Sequence, residues 1–470
     1  MVIHPNELFT FVVLRVEYEQ LSNTFKMEDD IMNRIRKFTV IAVALLVLAI
    51  PLTALAQAVT YTAGFQLQNL TGTTANVVIS YYNQDGTTAA TVNDTINANS
   101  SKTYFPLSAV ANGFNGSVVV SSDQQVAAIV NVLGNNGQRG AAYGGFNAGA
   151  TTSNLPLIMK NNFGIDTWFN VQNAGSSAAT VNVSYKPGTC TESQSIAPNA
   201  AKTFTQSSNT CLPSGFVGAA TVTSAQPIVV TVMQVDSRSL LAYNGFTTAS
   251  TNPVMPLVTS RFFNSGTGIQ IQNTGGTNTD VTLTYTPSAG FPGSTCTETR
   301  TVVAGASSTF SFPDLPAGCG ASFVGAARVT GNTANMPLVA IVNQITRGTA
   351  TAAAYNAVNP ANATNRVSLP LIMDRNFGIF TGFSVANVGT QPTNVSCTFT
   401  GTSYTASATN VQPGAALTDV QLNRIASGYV GSATCTATGG DAKIAGIVNE
   451  LTSGAPTTTD ALLVYDAFNY

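Results

Sequence analysis

Histidine is almost missing from this 470-residue chain, because the one copy, His4, lies ahead of a segment read below as an export leader. Nothing downstream of that leader can therefore run a Ser-His-Asp or Cys-His mechanism. Charge is scarce as well: Asp, Glu, Lys and Arg supply 9% of the residues, where ordinary soluble proteins carry roughly 25%. Beyond Gln57 the fourteen basic and fifteen acidic residues nearly cancel. With no basic patch in prospect, nucleic acid and anionic membrane surfaces are poor candidate partners. Tryptophan occurs once, as Trp168, so a carbohydrate platform would have to be built on that one indole or on Phe and Tyr. No Cys-x-x-Cys pair, no Asp-x-Asp-x-Asp-Gly loop and no sustained helical spacing occur after the leader. Asp166, Glu192 and Asp236 illustrate acids too scattered for paired-carboxylate chemistry, and are read as solvated strand or loop residues. The expectation is a protein with no cofactor, no metal and no catalytic residues.

What is present begins with that leader. Arg34, Arg36 and Lys37 precede the apolar run Val40–Ile50, and Ala54-Leu55-Ala56 follows, the order of a secretory signal peptide cleaved before Gln57. The run is short for a spanning helix, so no transmembrane anchor is expected in the mature chain. Glu28, Asp29 and Asp30 are unusual ahead of such a leader, which leaves Met1, Met27 and Met32 open as starts. A lipoprotein would need Cys where Gln57 stands, and a pilin leader would need Gly before Phe38.

Four copies of a unit of about 100 residues follow. Phe65-Gln-Leu-Gln-Asn69 returns as Phe169-Asn-Val-Gln-Asn173, Ile269-Gln-Ile-Gln-Asn273 and Phe383-Ser-Val-Ala-Asn387, with Asn spacings of 104, 100 and 114 residues. Gly113-Phe114-Asn-Gly116 returns as Gly215-Phe216-Val-Gly218, Ser322-Phe323-Val-Gly325 and Gly428-Tyr429-Val-Gly431. Each copy closes on a tyrosine: Tyr143, Tyr243, Tyr355 or Tyr465. A fixed long period of this kind marks tandem repeats. Within them apolar residues alternate, as in Val181-Asn-Val183-Ser-Tyr185, which is the period of a half-buried strand. The second copy contains eight such runs: 155–159, 167–172, 180–185, 192–197, 202–206, 218–224, 228–235 and 240–246. The expected domains are 1–56, extension and leader, then repeats at 57–148, 155–246, 254–357 and 367–470, joined by short linkers at 147–154, 247–253 and 359–366. Short linkers predict an elongated array of limited bending.

This pattern resembles the Ig-like or fibronectin-like β-sandwich modules strung together in bacterial extracellular, adhesin and S-layer-type proteins, over residues 59–470. The resemblance implies an all-β fold of four tandem sandwiches used as stalk, adhesive tip or array subunit, secreted or at the cell surface.

All six cysteines follow the cleavage site, two in each of the last three repeats, and predict the disulfides Cys190–Cys211, Cys296–Cys319 and Cys397–Cys435. Alignment puts Cys397 and Cys435 at core valine positions, so that pair is expected to link two inward-facing strands as antibody domains do. Asn-x-Thr sequons such as Asn69-Leu-Thr71 are better explained by turn geometry than by glycans. Finally, Leu155-Pro-Leu157-Ile-Met159 returns as Met255-Pro-Leu-Val258 and Leu369-Pro-Leu371-Ile-Met373, three copies for four repeats. One terminal repeat is therefore expected to lack an edge strand. Leu155, Leu157, Met159, Leu369, Leu371 and Met373 become candidate assembly residues, with another copy of the chain, a surface protein or a glycan as partner. The expected function is a structural or adhesive surface protein, the rival a glycan- or protein-binding module array.

Overall fold

Alternation of side chains builds nearly the whole of this molecule: in Ala179–Lys186 every second residue is buried and the rest are exposed. The computed structural model describes residues 60–312 and 314–470, which are all-β, with strands joined by turns and two short 3₁₀ turns. The leader, its cleavage site and the choice of start lie outside the described residues.

Each of four successive segments contributes two facing groups of antiparallel strands. In the third segment one sheet runs in the order Ser307–Phe310, Ser265–Asn273, Leu338–Thr346, Ala352–Asn356. Its partner runs Val254–Ser260, Phe323–Gly331, Thr279–Pro287, Cys296–Val302. A core between them holds Ile269, Ile271, Leu283, Tyr285 and Phe323. The second segment reproduces all eight expected runs in seven strands, because runs 218–224 and 228–235 form one strand, Phe216–Val235, that serves both sheets. Ala225–Pro227 between those runs keep the extended backbone. Residues 150–154, read as linker, already belong to the strand Ala150–Lys160.

The repeated blocks have local causes. Asn69, Asn173, Asn273 and Asn387 are fully buried. Each donates from Nδ2 to the carbonyl four residues on and to the end of a neighbouring strand. Each also accepts, through Oδ1, the N–H two residues on. Turn geometry thus accounts for this asparagine. In the second block, a Cβ on Gly116, Gly218 or Gly325 would run into the carbonyl oxygen of Tyr82, Lys186 or Thr286 across the sheet.

The cysteine pairs Cys190–Cys211, Cys296–Cys319 and Cys397–Cys435 all sit at disulfide distance. The third differs from the antibody arrangement expected of it. Cys397 and Cys435 lie directly opposite each other on neighbouring strands of one sheet, both facing the core, rather than on two sheets.

The elongated array is also corrected. The closing strands Arg139–Gly144, Leu240–Asn244, Ala352–Asn356 and Leu462–Asp466 each pack on the next, and the last packs on the first. Segments 1 and 4 touch elsewhere too, where Gln66 donates to the Pro370 carbonyl and Ser368 to Gln68. The physical reason is that the outer faces of the closing strands are apolar: Ala141, Leu240, Leu241, Ala242, Ala352 and Ala354 bury one another between segments.

Candidate functional site

The acids weighed as catalytic candidates serve their own turns. Asp166 accepts the Asn161 N–H, and Asp236 accepts those of Arg238 and Ser239. Glu192 accepts from Tyr185 and Asn209. Among the described residues no three His, Cys, Asp or Glu side chains cluster as metal ligands would. No described helix is long and apolar enough to cross a membrane.

The unusual chemistry lies where the ring closes. Asp460 precedes the last closing strand, and its carboxylate accepts backbone N–H groups from equivalent positions of all four segments. Leu240 donates at 3.0 Å, Ala352 at 2.9 Å, and Gly140 and Leu462 also donate. Burial pushes this carboxyl up to about 8, the four amides working against burial.

The seams between segments follow one rule with two exceptions. Gln234 and Asn343 exchange two amide hydrogen bonds, 3.0 and 2.7 Å, from segment 2 to segment 3. Gln344 and Asn449 do the same from segment 3 to segment 4, at 3.4 and 3.2 Å. Between segments 1 and 2 the corresponding residues are Val132 and Met233, packed apolar against each other's neighbours. Between segments 4 and 1 the glutamine is replaced by Glu450. Asn131 Nδ2 donates to Glu450 Oε2 at 2.9 Å, while Glu450 Oε1 and Asn131 Oδ1 are both buried without a hydrogen-bond partner. Burial pushes Glu450 up to about 7.

A second acid repeats this substitution. Asn244 donates to the Gly144 carbonyl and Asn356 to the Asn244 carbonyl, each at 2.7 Å. In segment 4 the same position is Asp466, which accepts the Asn356 N–H through Oδ2 and leaves Oδ1 buried and unpaired. Burial pushes it up to about 7. At both places a proton on the free oxygen would supply the donor that an amide supplies elsewhere in the ring. Sequence reasoning passed over Asp460, Glu450 and Asp466, although aligning Gln234, Gln344 and Glu450, or Asn244, Asn356 and Asp466, displays acids at amide positions.

The candidate assembly residues are not free. Leu155, Leu157, Met159, Leu369, Leu371 and Met373 are buried in strands that pair with the segment following each copy. Among the described residues, segment 1 is therefore the one without such a strand. Its second sheet has three described strands, Thr88–Ile96, Ala75–Asn83 and Gly116–Ser122, and the last pairs with described residues on one side only. Val118 and Val120 on that strand are half-buried, whereas the equivalent Ala220, Val222, Ala327 and Val329 are 2% exposed or less.

Trp168 is no open platform; it packs in the seam between segments 1 and 2, edge-on to Tyr61 at 6.4 Å. Three phenylalanines are open instead. Phe163, Phe263 and Phe377 stand at the same turn of segments 2, 3 and 4, 96%, 85% and 94% exposed, all at positive φ near 50°. Bulky residues rarely adopt that backbone conformation.

No protein-family model and no curated protein sequence matches this chain.

Proposed function

We propose that this chain is a secreted structural or adhesive protein of the cell surface or extracellular matrix, built from four Ig-like sandwich repeats, which docks or assembles through the uncovered strand edge of its first repeat. That edge, Gly116–Ser122, is the observation that carries the reading: among the described residues it pairs on one side only, and an open edge next to half-buried apolar core is a template for another strand. Three cysteine pairs at disulfide distance are compatible with an oxidising extracellular compartment. Low charge and backbone hydrogen bonding throughout suit a durable scaffold rather than a moving machine. Negative-stain electron microscopy with light scattering of oxidised residues 57–470 tests it. Filaments, sheets or discrete oligomers support assembly, and monodisperse monomers at all concentrations remove it.

A second reading, a glycan- or protein-binding module array, is favoured by the recurring exposed phenylalanines. Replacing Phe163, Phe263 and Phe377 together by Ser is expected to abolish retention on cell-surface glycans or proteins without lowering the melting temperature. Retention equal to that of the unaltered protein counts against this reading.

A further inference from the structure

The three exposed phenylalanines occupy a backbone that works against them. Phe163 and Gly164 are the two central residues of a tight hairpin whose flanks, Asn162 and Ile165, exchange both backbone hydrogen bonds at 2.9 Å. Asn376 and Ile379 flank Phe377 and Gly378 in the same way. Both central residues take positive φ in each turn, as do Phe263 and Asn264 in segment 3. Asn, Asp and Gly are the residues suited to a two-residue turn of that kind. A phenylalanine there strains the backbone and, being almost fully exposed, gains no burial within the chain to offset the strain. The corresponding turn of segment 1 lies outside the described residues.

All three turns border the same end of the ring. Asp166, which follows the first turn, lies opposite Val235, where the hairpin into Leu240 begins. The Arg347 N–H donates to the Asn264 carbonyl at 3.0 Å and the Ser453 N–H to the Gly378 carbonyl at 2.9 Å, which ties the other two turns to the equivalent hairpins. Those hairpins converge on the Asp460 carboxylate. Charge is unevenly placed there, although it nearly balances along the sequence. Arg261 and Arg375 stand two residues ahead of Phe263 and Phe377, and Arg238 and Arg424 are exposed on adjoining loops. The acids of this end are drawn inward or already engaged. Asp374, paired with Arg375, and Asp460 are buried. Asp166 and Asp236 accept amides of their own turns, and Asp314 lies between Arg261 and Arg347.

We infer that this end of the ring is a lipid-docking face: Phe163, Phe263 and Phe377 enter the headgroup and acyl boundary of an anionic bilayer, and the arginines beside them meet its phosphates. Apolar tips this exposed need a partner to cover them. Tips that project around one end suit a broad surface that yields to them, whereas a rigid partner would need a matching pit for each. The inference goes beyond both readings above and competes with the second for the same side chains.

Residues 60–470 form one compact unit with its own cores, so the oxidised 57–470 protein can be tested directly. It is floated with protein-free vesicles of phosphatidylglycerol and phosphatidylcholine, and separately with vesicles of phosphatidylcholine alone. Saturable binding to the anionic vesicles is expected, several-fold weaker on the neutral ones and at high salt. Replacing Phe163, Phe263 and Phe377 together by Asn, which tolerates positive φ, is expected to weaken binding about tenfold or more without lowering the melting temperature. Arg238→Gln combined with Arg424→Gln is expected to weaken binding to the anionic vesicles several-fold and to leave the melting temperature unchanged. Absence of vesicle binding, or equal binding by the asparagine variant, overturns the inference. Retention on cell-surface glycans or proteins by a chain that binds no vesicle overturns it and leaves the module-array reading standing. Vesicle binding that the asparagine variant loses, with no retention on lipid-free glycans or proteins, does the reverse.

Discussion

Two seams of the ring make the same contact with different atoms. Between segments 3 and 4, Gln344 and Asn449 are reciprocally paired, each amide giving and taking one hydrogen bond. Between segments 4 and 1, Glu450 and Asn131 share one hydrogen bond and face each other with two unpaired oxygens. An amide brings its own donor at every pH, whereas a carboxyl brings one only when protonated. At the last seam of the ring, and at the Asp466–Asn356 contact between segments 3 and 4, a protonated carboxyl would restore the donor that an amide brings.

The comparison breaks most severely at the axis. Asp460→Ala leaves four converging amides without an acceptor and is expected to lower stability in urea denaturation by more than one unsatisfied buried donor costs, about 1–3 kcal/mol. Next comes the amide seam: Gln344→Ala strands the Asn449 side chain and is expected to cost about 1–3 kcal/mol, equally at pH 5 and pH 8.

The acid seam should behave in the opposite way. Because burial raises the folded-state carboxyl of Glu450 from its usual range to about 7, the folded protein holds this proton more tightly than the unfolded chain does. That stabilisation is fully present below about pH 4.5 and is lost as pH rises to about 7, with Tyr465 the titratable neighbour that also feels the charge. Glu450→Gln restores the reciprocal pair and is expected to stabilise the protein by about 2 kcal/mol at pH 8 with little change at pH 4.5. A variant whose advantage is the same at both values would show that the proton plays no part. Asp466→Asn is expected to act in the same sense by about 1 kcal/mol, since one hydrogen bond to the Asn356 carbonyl is regained.

Segment 1 shows how far sequence reasoning reached and where it stopped. The three copies of the apolar-Pro-Leu strand pointed to a terminal segment without its own copy, but not to which one, because the motif lies between two segments and pairing is not written in its residues. Only the register of Ala150–Lys160 on Phe216–Val235 assigns each copy to the segment that follows. The cysteine partners were legible from their spacing, yet the geometry of Cys397 and Cys435 was not. Two inward-facing positions on neighbouring strands alternate just as two on facing sheets do.

The strands and their turns came from local information: side-chain alternation, asparagine turns and glycines at close approaches all act within a few residues or across one strand pair. The ring came only from tertiary structure. Its closing faces are short apolar stretches such as Leu240-Leu241-Ala242, which read the same whether they bury against their own sheet or against the next segment. The charges that mark the closure, Glu450, Asp460 and Asp466, look like ordinary surface acids until the first and last segments meet and take them out of water.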